Sequence, residues 1–567
     1  MRMFRKNLTK NVISSAICGL LYITPFIAAC SHAQQATTAA ISKLDLARLE
    51  KEAQIALEKK EFANAAELFQ RIANAAPEVG SYAYNAACAH ALRGNVDLAF
   101  TWLQRAIDAG FVDVKHSQQD SDLQSLRQDP RWGGLMLSMQ KRADFLGRLW
   151  NSSVWKTAYK ANLSVDEKVA GLSKFWSEVK YNFVYTNTLR ELDWDAVYQR
   201  YLPKVRASKS TLEYYKLLME MCALLKDGHT NVYAPDELYE SDFAVTKIRT
   251  RLIEGRVFVT EVGDPQLIKQ GLVAGTEILK VNHRDVHDYA RKDLAPYVSA
   301  STPQDLETRI YSYEFLIGSA KEKPLLEVRD TQGKRHQIKI DRVSIKERNK
   351  ALSGLPAFSW RMLPDNIAHV ALNSFDDDTA AIEYFKAFPE ISKAKAIIFD
   401  VRDNGGGNGS VGFKILSTIT KQNFATSAAA TRDYKPSLRA WGNPESLHHF
   451  PQSLEAADPQ HQFAGKVVVL TSARTYSAAE DFSIAFDLMQ RGKIIGEATG
   501  GSTGQPLFFD LPGGGMARVC TKLDSYPDGK AFVGVGIQPH HLVRPTIADF
   551  LAGRDTVLLA AIKNINE

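Results

Sequence analysis

Three short stretches of this 567-residue chain hold residue types that could do chemistry together. The first is Leu470-Thr471-Ser472-Ala473-Arg474-Thr475-Tyr476-Ser477-Ala478-Ala479-Glu480. A buried apolar strand predicted over Val467 to Leu470 turns here into a helix predicted from Ala478 to Gln490, which sets Ser477 at the helix start. A serine so placed lies beside the free N–H groups of the first turn, and these, with the positive end of the helix dipole, favour an anion. Attack by Ser477 on a carbonyl carbon would create that anion within reach of the Ala478 N–H. The same position suits a plain N-cap, and Ser477 with Glu480 three residues on fits a capping box.

The second stretch is Asn404-Gly405-Gly406-Gly407, which follows a buried strand, Ala396 to Phe399, ending in Asp400. Consecutive glycines let backbone N–H groups come close to a ligand, so this turn could supply the other half of an oxyanion hole. The third is Asp227-Gly228-His229-Thr230. A nucleophilic serine needs a base, and neutral histidine is the usual one, with an ordinary pKa of about 6.5. His229 is the candidate, and His540 and His541 are rivals because they lie in the same region as Ser477. Two other motifs are set aside. Gly407 to Gly412 matches a dinucleotide fingerprint without the acid that should end the next strand. Gly500-Gly501-Ser502-Thr503-Gly504 matches a nucleophile elbow, but Pro506 and a predicted strand over Leu507 to Asp510 follow it instead of a helix.

These residues need elements to position them. Residues 355–550 alternate strands and helices in an α/β pattern with crossovers, and in open sheets of that kind ligands bind beyond the carboxyl ends of the strands. Residues 241–345 change to short strands. There Gly271 to Gly275 leads into Ile278 to Asn282, a stretch similar to a PDZ domain, the module that takes a peptide along a strand edge. Residues 151–240 read as helical, with Leu217, Leu218, Met221, Leu224 and Leu225 on one face of a helix predicted to stop at Gly228. Residues 40–145 repeat at a 34-residue period, pairing Ala53 with Ala87, Glu61 with Asn95, Ala65 with Ala99 and Phe69 with Leu103. That is the tetratricopeptide period.

Taken in order, the stretch Asp400 to Gly407, the segment Leu470 to Glu480 and Gly496-Glu497-Ala498-Thr499-Gly500-Gly501 resemble the core of the tail-specific, or C-terminal processing, serine proteases. Leu225 to Thr230 and the PDZ-like stretch fall in that family's order, so the resemblance covers about 160 to 550. It implies a crotonase-like catalytic core, peptide-bond hydrolysis and no metal or cofactor. Members with a Ser–Lys dyad would place their lysine at Ser502, so the dyad is absent. The alternative arrangement is similar to the tricorn core protease, whose histidine base would stand at His229, while members of the interphotoreceptor retinoid-binding type lack evident protease work and resemble a non-catalytic alternative. Tricorn has a serine before that histidine, where this chain has Gly228, and a glutamate near the C-terminal end, where Phe532 to Gly536 holds no acid. Asp227, Glu480 and Asp524 are the candidates for the third member.

Composition narrows the partners. The net charge is +6, and Arg2, Arg5, Lys6 and Lys10 with no acid account for four of it, leaving +2 once a leader over 1–33 is removed. That gives no electrostatic reason to expect nucleic acid. The basic start and the apolar run Val12 to Ala29 read as a secretory signal, with cleavage after Ala33 or, in a lipobox ending at Cys30, lipidation of Cys30. Residues 34–42 read as a linker. Cys88, Cys222 and Cys520 are too few and too scattered for a disulfide scaffold or a zinc site. The expected whole is a multidomain exported peptidase, periplasmic or an outer-membrane lipoprotein. Its catalytic residues are Ser477 and His229, its oxyanion donors Gly405, Gly406 and Ala478, and its partners a peptide or protein substrate and a protein bound by the repeats. A non-catalytic peptide-binding scaffold is the alternative.

Overall fold

The computed structural model describes residues 43–567 except 151, 444 and 453. The leader, Cys30 and residues 34–42 lie outside the described residues. The chain divides into two compact units, Met1–Ala143 and Asp144–Glu567.

In the first unit, helices Lys43–Glu58, Phe62–Ala75, Gly80–Leu92 and Val96–Asp108 pack on one core. The 34-residue pairs take equivalent places. Ala53, Ala87, Ala65, Ala99, Phe69 and Leu103 are all buried, and Glu61 and Asn95 stand at the N-caps of the second and fourth helices. Alanine at the buried positions lets the helices approach closely, which is why the period shows in small residues.

The second unit is built on a six-stranded sheet. Its order is Phe358–Leu363, Ile367–Leu372, Ala396–Asp400, Lys466–Thr471, Gly492–Gly496 and His541–Leu542, parallel except for the first pairing. Both faces are covered, so the strands read as continuous apolar runs. Ile397, Phe399, Val467 and Val469 face helices Thr379–Ile391, Gly409–Leu416 and Ala478–Met489. Ala396, Ile398, Val468 and Leu470 face helix Thr556–Asn566, as the two-residue alternation of a strand requires. Asp400 is level with Leu470, and Thr471 with Gly496. The glycine turn and the Ser477 turn therefore leave adjacent strands at the same edge.

A separate antiparallel sheet, Ile248–Ile253, Arg256–Val262, Glu277–Val281, Leu325–Arg329 and Arg335–Lys339, has its own core around Val257, Ile278, Leu326 and Val328. The helical segment before it does not have an independent core. Phe175, Trp194, Tyr214, Leu218 and Met221 share one with Phe509, Leu511, Ala517, Val519 and Cys520 of the hairpin formed by Pro506–Asp510 and Met516–Cys520. Strand Asn231–Tyr233 extends that hairpin, with Asn231 opposite Arg518.

Candidate active site

Ser477 is no cap. Its side chain accepts nothing from the helix that follows, and its backbone sits at φ +54, ψ −123. That conformation is costly for a residue with a Cβ, on the order of 1–3 kcal/mol, and persists only where the surroundings impose it. Two contacts impose it here. The Ser477 N–H donates to the Ser502 carbonyl at 3.1 Å, and the Gly406 backbone packs so closely that a Cβ there would stand 2.6 Å from Ser477 Cβ. Glu480 does not close a capping box. Its carboxylate accepts the N–H groups of Gly501 and Ser502, each at 2.8 Å, and the Thr499 hydroxyl.

His229 reaches Ser477 from 248 residues away. Its Nε2 lies 3.1 Å from Ser477 Oγ, and its Nδ1 lies 2.8 Å from Ser502 Oγ. A neutral imidazole with its proton on Nδ1 donates to Ser502 and leaves Nε2 to accept from Ser477. The ring stacks on Tyr476 at 5.2 Å between centroids, 7° from parallel. The segment is tied down by the Asn231–Arg518 pairing and by Cys520 N–H donating to the Thr230 hydroxyl at 3.0 Å. The preceding helix ends at Ala223, earlier than the predicted stop at Gly228, and Lys226, at φ +50, takes the left-handed turn. Gly228 is required for a different reason. A Cβ there would stand 1.9 Å from the Tyr476 hydroxyl.

Of the three candidates for the group behind the histidine, none touches its ring. Asp227 accepts from Thr230 and Ser301, and Asp524 accepts from Thr503 and pairs with Lys522. Glu480 is one step removed, since it holds the backbone of Ser502, whose hydroxyl meets Nδ1. Ser502 is the member that sequence reasoning missed. Its signal was the position itself, where a related dyad carries lysine. The Tyr476 hydroxyl accepts from Arg309 Nη2 at 2.8 Å and meets the Ser502 side chain, so it joins the same chain of groups. The rival histidines are elsewhere. His540 Nδ1 accepts from the Ile494 N–H and its Nε2 faces Asp487, while His541 is exposed on the edge strand.

The expected oxyanion donors need one correction. The Gly406 N–H is already engaged, donating to Asn404 Oδ1 at 2.8 Å, because Asn404 is buried and must satisfy its amide. Gly406 instead gives Ser477 room. The N–H groups of Ala478, Gly405 and Gly407 donate to nothing among the described residues. Gly405, Gly407, Ser477 and His229 all line one cleft of about 590 Å³.

Burial holds the His229 imidazole well below its ordinary value of 6.5, and the charges of Arg518, Arg309 and Lys522 push the same way. Three cations and little water disfavour the imidazolium. Burial pushes the Glu480 carboxyl up to about 8, against the three hydrogen bonds it accepts.

Residues 366–543 match the model of peptidase family S41, and residues 171–223 match that of the tricorn protease C1 domain. The chloroplastic C-terminal processing peptidase of Tetradesmus obliquus is 23% identical over 367 residues, 62% of this chain and 73% of that protein. The structure of mature CPAF complexed with lactacystin has a TM-score of 0.58 at 13% identity, covering 71% of this chain and 98% of that one. Mature CPAF alone gives 0.57 at 14% identity over the same shares. The structural likeness establishes a shared fold. The match to the peptidase family S41 model spans the strands and helix that carry Ser477, and the chain is a serine peptidase, a hydrolase.

Proposed function

We propose that the chain is an exported endopeptidase in which Ser477 is the nucleophile and His229 the general base. Ser477 Oγ attacks the peptide carbonyl carbon as its proton passes to His229 Nε2. The oxyanion takes the N–H of Ala478 and one from the Gly405–Gly407 turn. His229 returns the proton to the leaving amine, and water then hydrolyses the acyl-serine by the reverse roles. Ser502 holds the imidazole in the productive tautomer, and Glu480 holds Ser502. The observation that carries this reading is the single imidazole bridging Ser477 and Ser502 beside a strained serine backbone.

The finer assignments belong to the same proposal. The branch is the one with a histidine base, similar to tricorn. The sheet of 248–339 acts as a PDZ-like peptide holder, and the 34-residue repeats act as tetratricopeptide modules that recruit a partner or substrate. Export rests on the leader, with Cys30 as the site of a lipid anchor. Turnover of internally quenched peptides tests the core of the reading. Ser477→Ala and His229→Ala should each lose activity by about four orders of magnitude or more, and the double variant should be little worse, because the two act as a unit. Retention of more than about a tenth of the activity by folded Ser477→Ala would refute it.

A further inference from the structure

Two guanidinium groups converge on one carbonyl oxygen at the edge of the cleft. Arg309 Nη2 and Arg518 Nη2 each lie 3.4 Å from the Gly228 oxygen, one residue before His229. Their counter-charges are unequal. Arg309 is ion-paired with Asp305 at 2.8 Å. Arg518 donates from Nε to the Asn231 side-chain oxygen at 2.8 Å and lies over the rings of Tyr233 and Phe508, all neutral partners. Among the described residues no carboxylate lies within ion-pair distance of it. Buried Asp227 feels its charge but bonds to Thr230 and Ser301. Of the two acids that line the cleft, Asp305 is taken by Arg309 and Asp376 is exposed beside the Gly407 turn. The third arginine of the cleft, Arg474, shares Asp403 with Arg251, which adds to the cationic surplus.

Arg518 is therefore half-buried, fixed in direction by a hydrogen bond and two rings, and short of a carboxylate. A planar guanidinium held in this way is built for a planar anion, which it can meet with two parallel hydrogen bonds. We propose that Arg518, with Arg309 beside it, selects a carboxylate on the substrate close to the scissile bond, borne by an acidic side chain or by a free C-terminus. The proposal rests on the reading of this cleft as the peptidase site. It also bears on rate. The two arginines oppose the imidazolium that His229 must become, and a substrate carboxylate placed between them offsets that field. A matched substrate should gain in kcat as well as in KM.

The Ser477→Ala protein keeps the cleft and lacks the proposed nucleophile, so affinity is read apart from catalysis. The probes are short fluorescein-labelled peptides in twin pairs, aspartate against asparagine at each central position, and free against amidated C-terminus. In this background one member of a twin pair should bind about tenfold more tightly, and the arm that shows the preference names the source of the carboxylate. Adding Arg518→Gln should bring the twins to equal affinity, and Arg518→Lys should restore part of the difference. Equal affinity across every twin pair overturns the proposal, and that comparison needs no change at Arg518. A preference that survives Arg518→Gln with an unchanged unfolding midpoint overturns it as well. If the Ser477-intact enzyme cleaves none of these peptides while the twins still differ, the peptidase reading fails and the carboxylate site stands.

Discussion

The two halves of the proposed catalytic pair are held by opposite means. Ser477 sits on a turn between one strand and the helix after it, in a backbone conformation imposed by Gly406 and Ser502, which lie in the loops that follow neighbouring strands of the same sheet. His229 sits between a helix and a three-residue strand that belong to another part of the chain. It reaches the site because Asn231–Tyr233 pairs with Met516–Cys520 over a core the helices share with that hairpin. Ser477 is placed by backbone strain on its turn and His229 by long-range packing. The first kind of placement is written in a short motif. The second depends on contacts among residues nearly three hundred positions apart.

Filling the seam between the halves should do the most damage. Gly228→Ala puts a methyl group 1.9 Å from the Tyr476 hydroxyl, so His229 or Tyr476 must move. Displacement of about an ångström at a catalytic group costs on the order of a hundredfold in rate, and we expect that loss in kcat with a smaller change in KM. Removing the obstructing oxygen with Tyr476→Phe in the same chain should recover part of it. Full activity in Gly228→Ala alone would show that the base does not depend on this seam. A smaller effect is expected behind the base. Ser502→Ala removes the acceptor at Nδ1 while leaving its backbone bonds to Glu480 and Ser477 intact. A hydrogen bond of this kind contributes about 1 kcal/mol, so kcat should fall between about fivefold and tenfold with little change in thermal stability. An unchanged kcat would remove Ser502 from the catalytic account. The smallest effect is expected in the first unit. A chain beginning near residue 144 should cleave short peptides within about threefold of the full chain, since the second unit has its own cores. Loss of that activity in a folded truncation would show that the repeats do more than recruit.

The same contrast explains what was legible in the sequence. The strand–turn–helix around Ser477, the glycine turn and the strand Pro506–Asp510 were predicted nearly to their ends, because apolar runs and glycines mark them locally. His229 was identified as the candidate base through its motif, with no means of seeing how it meets Ser477. A glycine after a helix signals a stop, and nothing in the sequence shows Tyr476 packing on Gly228. The run of glycines points to Gly406 as an oxyanion donor, and the sequence does not show the buried Asn404 claiming its N–H. Ser502 was noticed only as the absence of a lysine. The contacts of Gly228 and Ser502 join segments far apart in the chain, where periodicity carries no information, and the two-residue contact of Gly406 is set by the Asn404 amide reaching the Leu372 carbonyl.

The most direct test of the account is the rate at which a fluorophosphonate labels Ser477, followed against pH and mapped to the residue by mass spectrometry. The reaction needs Ser477 deprotonated by a neutral imidazole. With the His229 pKa held well below 6.5 by burial and by Arg518, Arg309 and Lys522, the imidazole stays neutral into acid. Labelling should therefore continue at full rate as pH falls through 6.5 and decline only well below it. His229→Ala should abolish it, and His540→Ala should leave it unchanged. A half-rate point at or above about 6.5, or labelling that survives His229→Ala and is lost in His540→Ala, would contradict the assignment of His229 as the base.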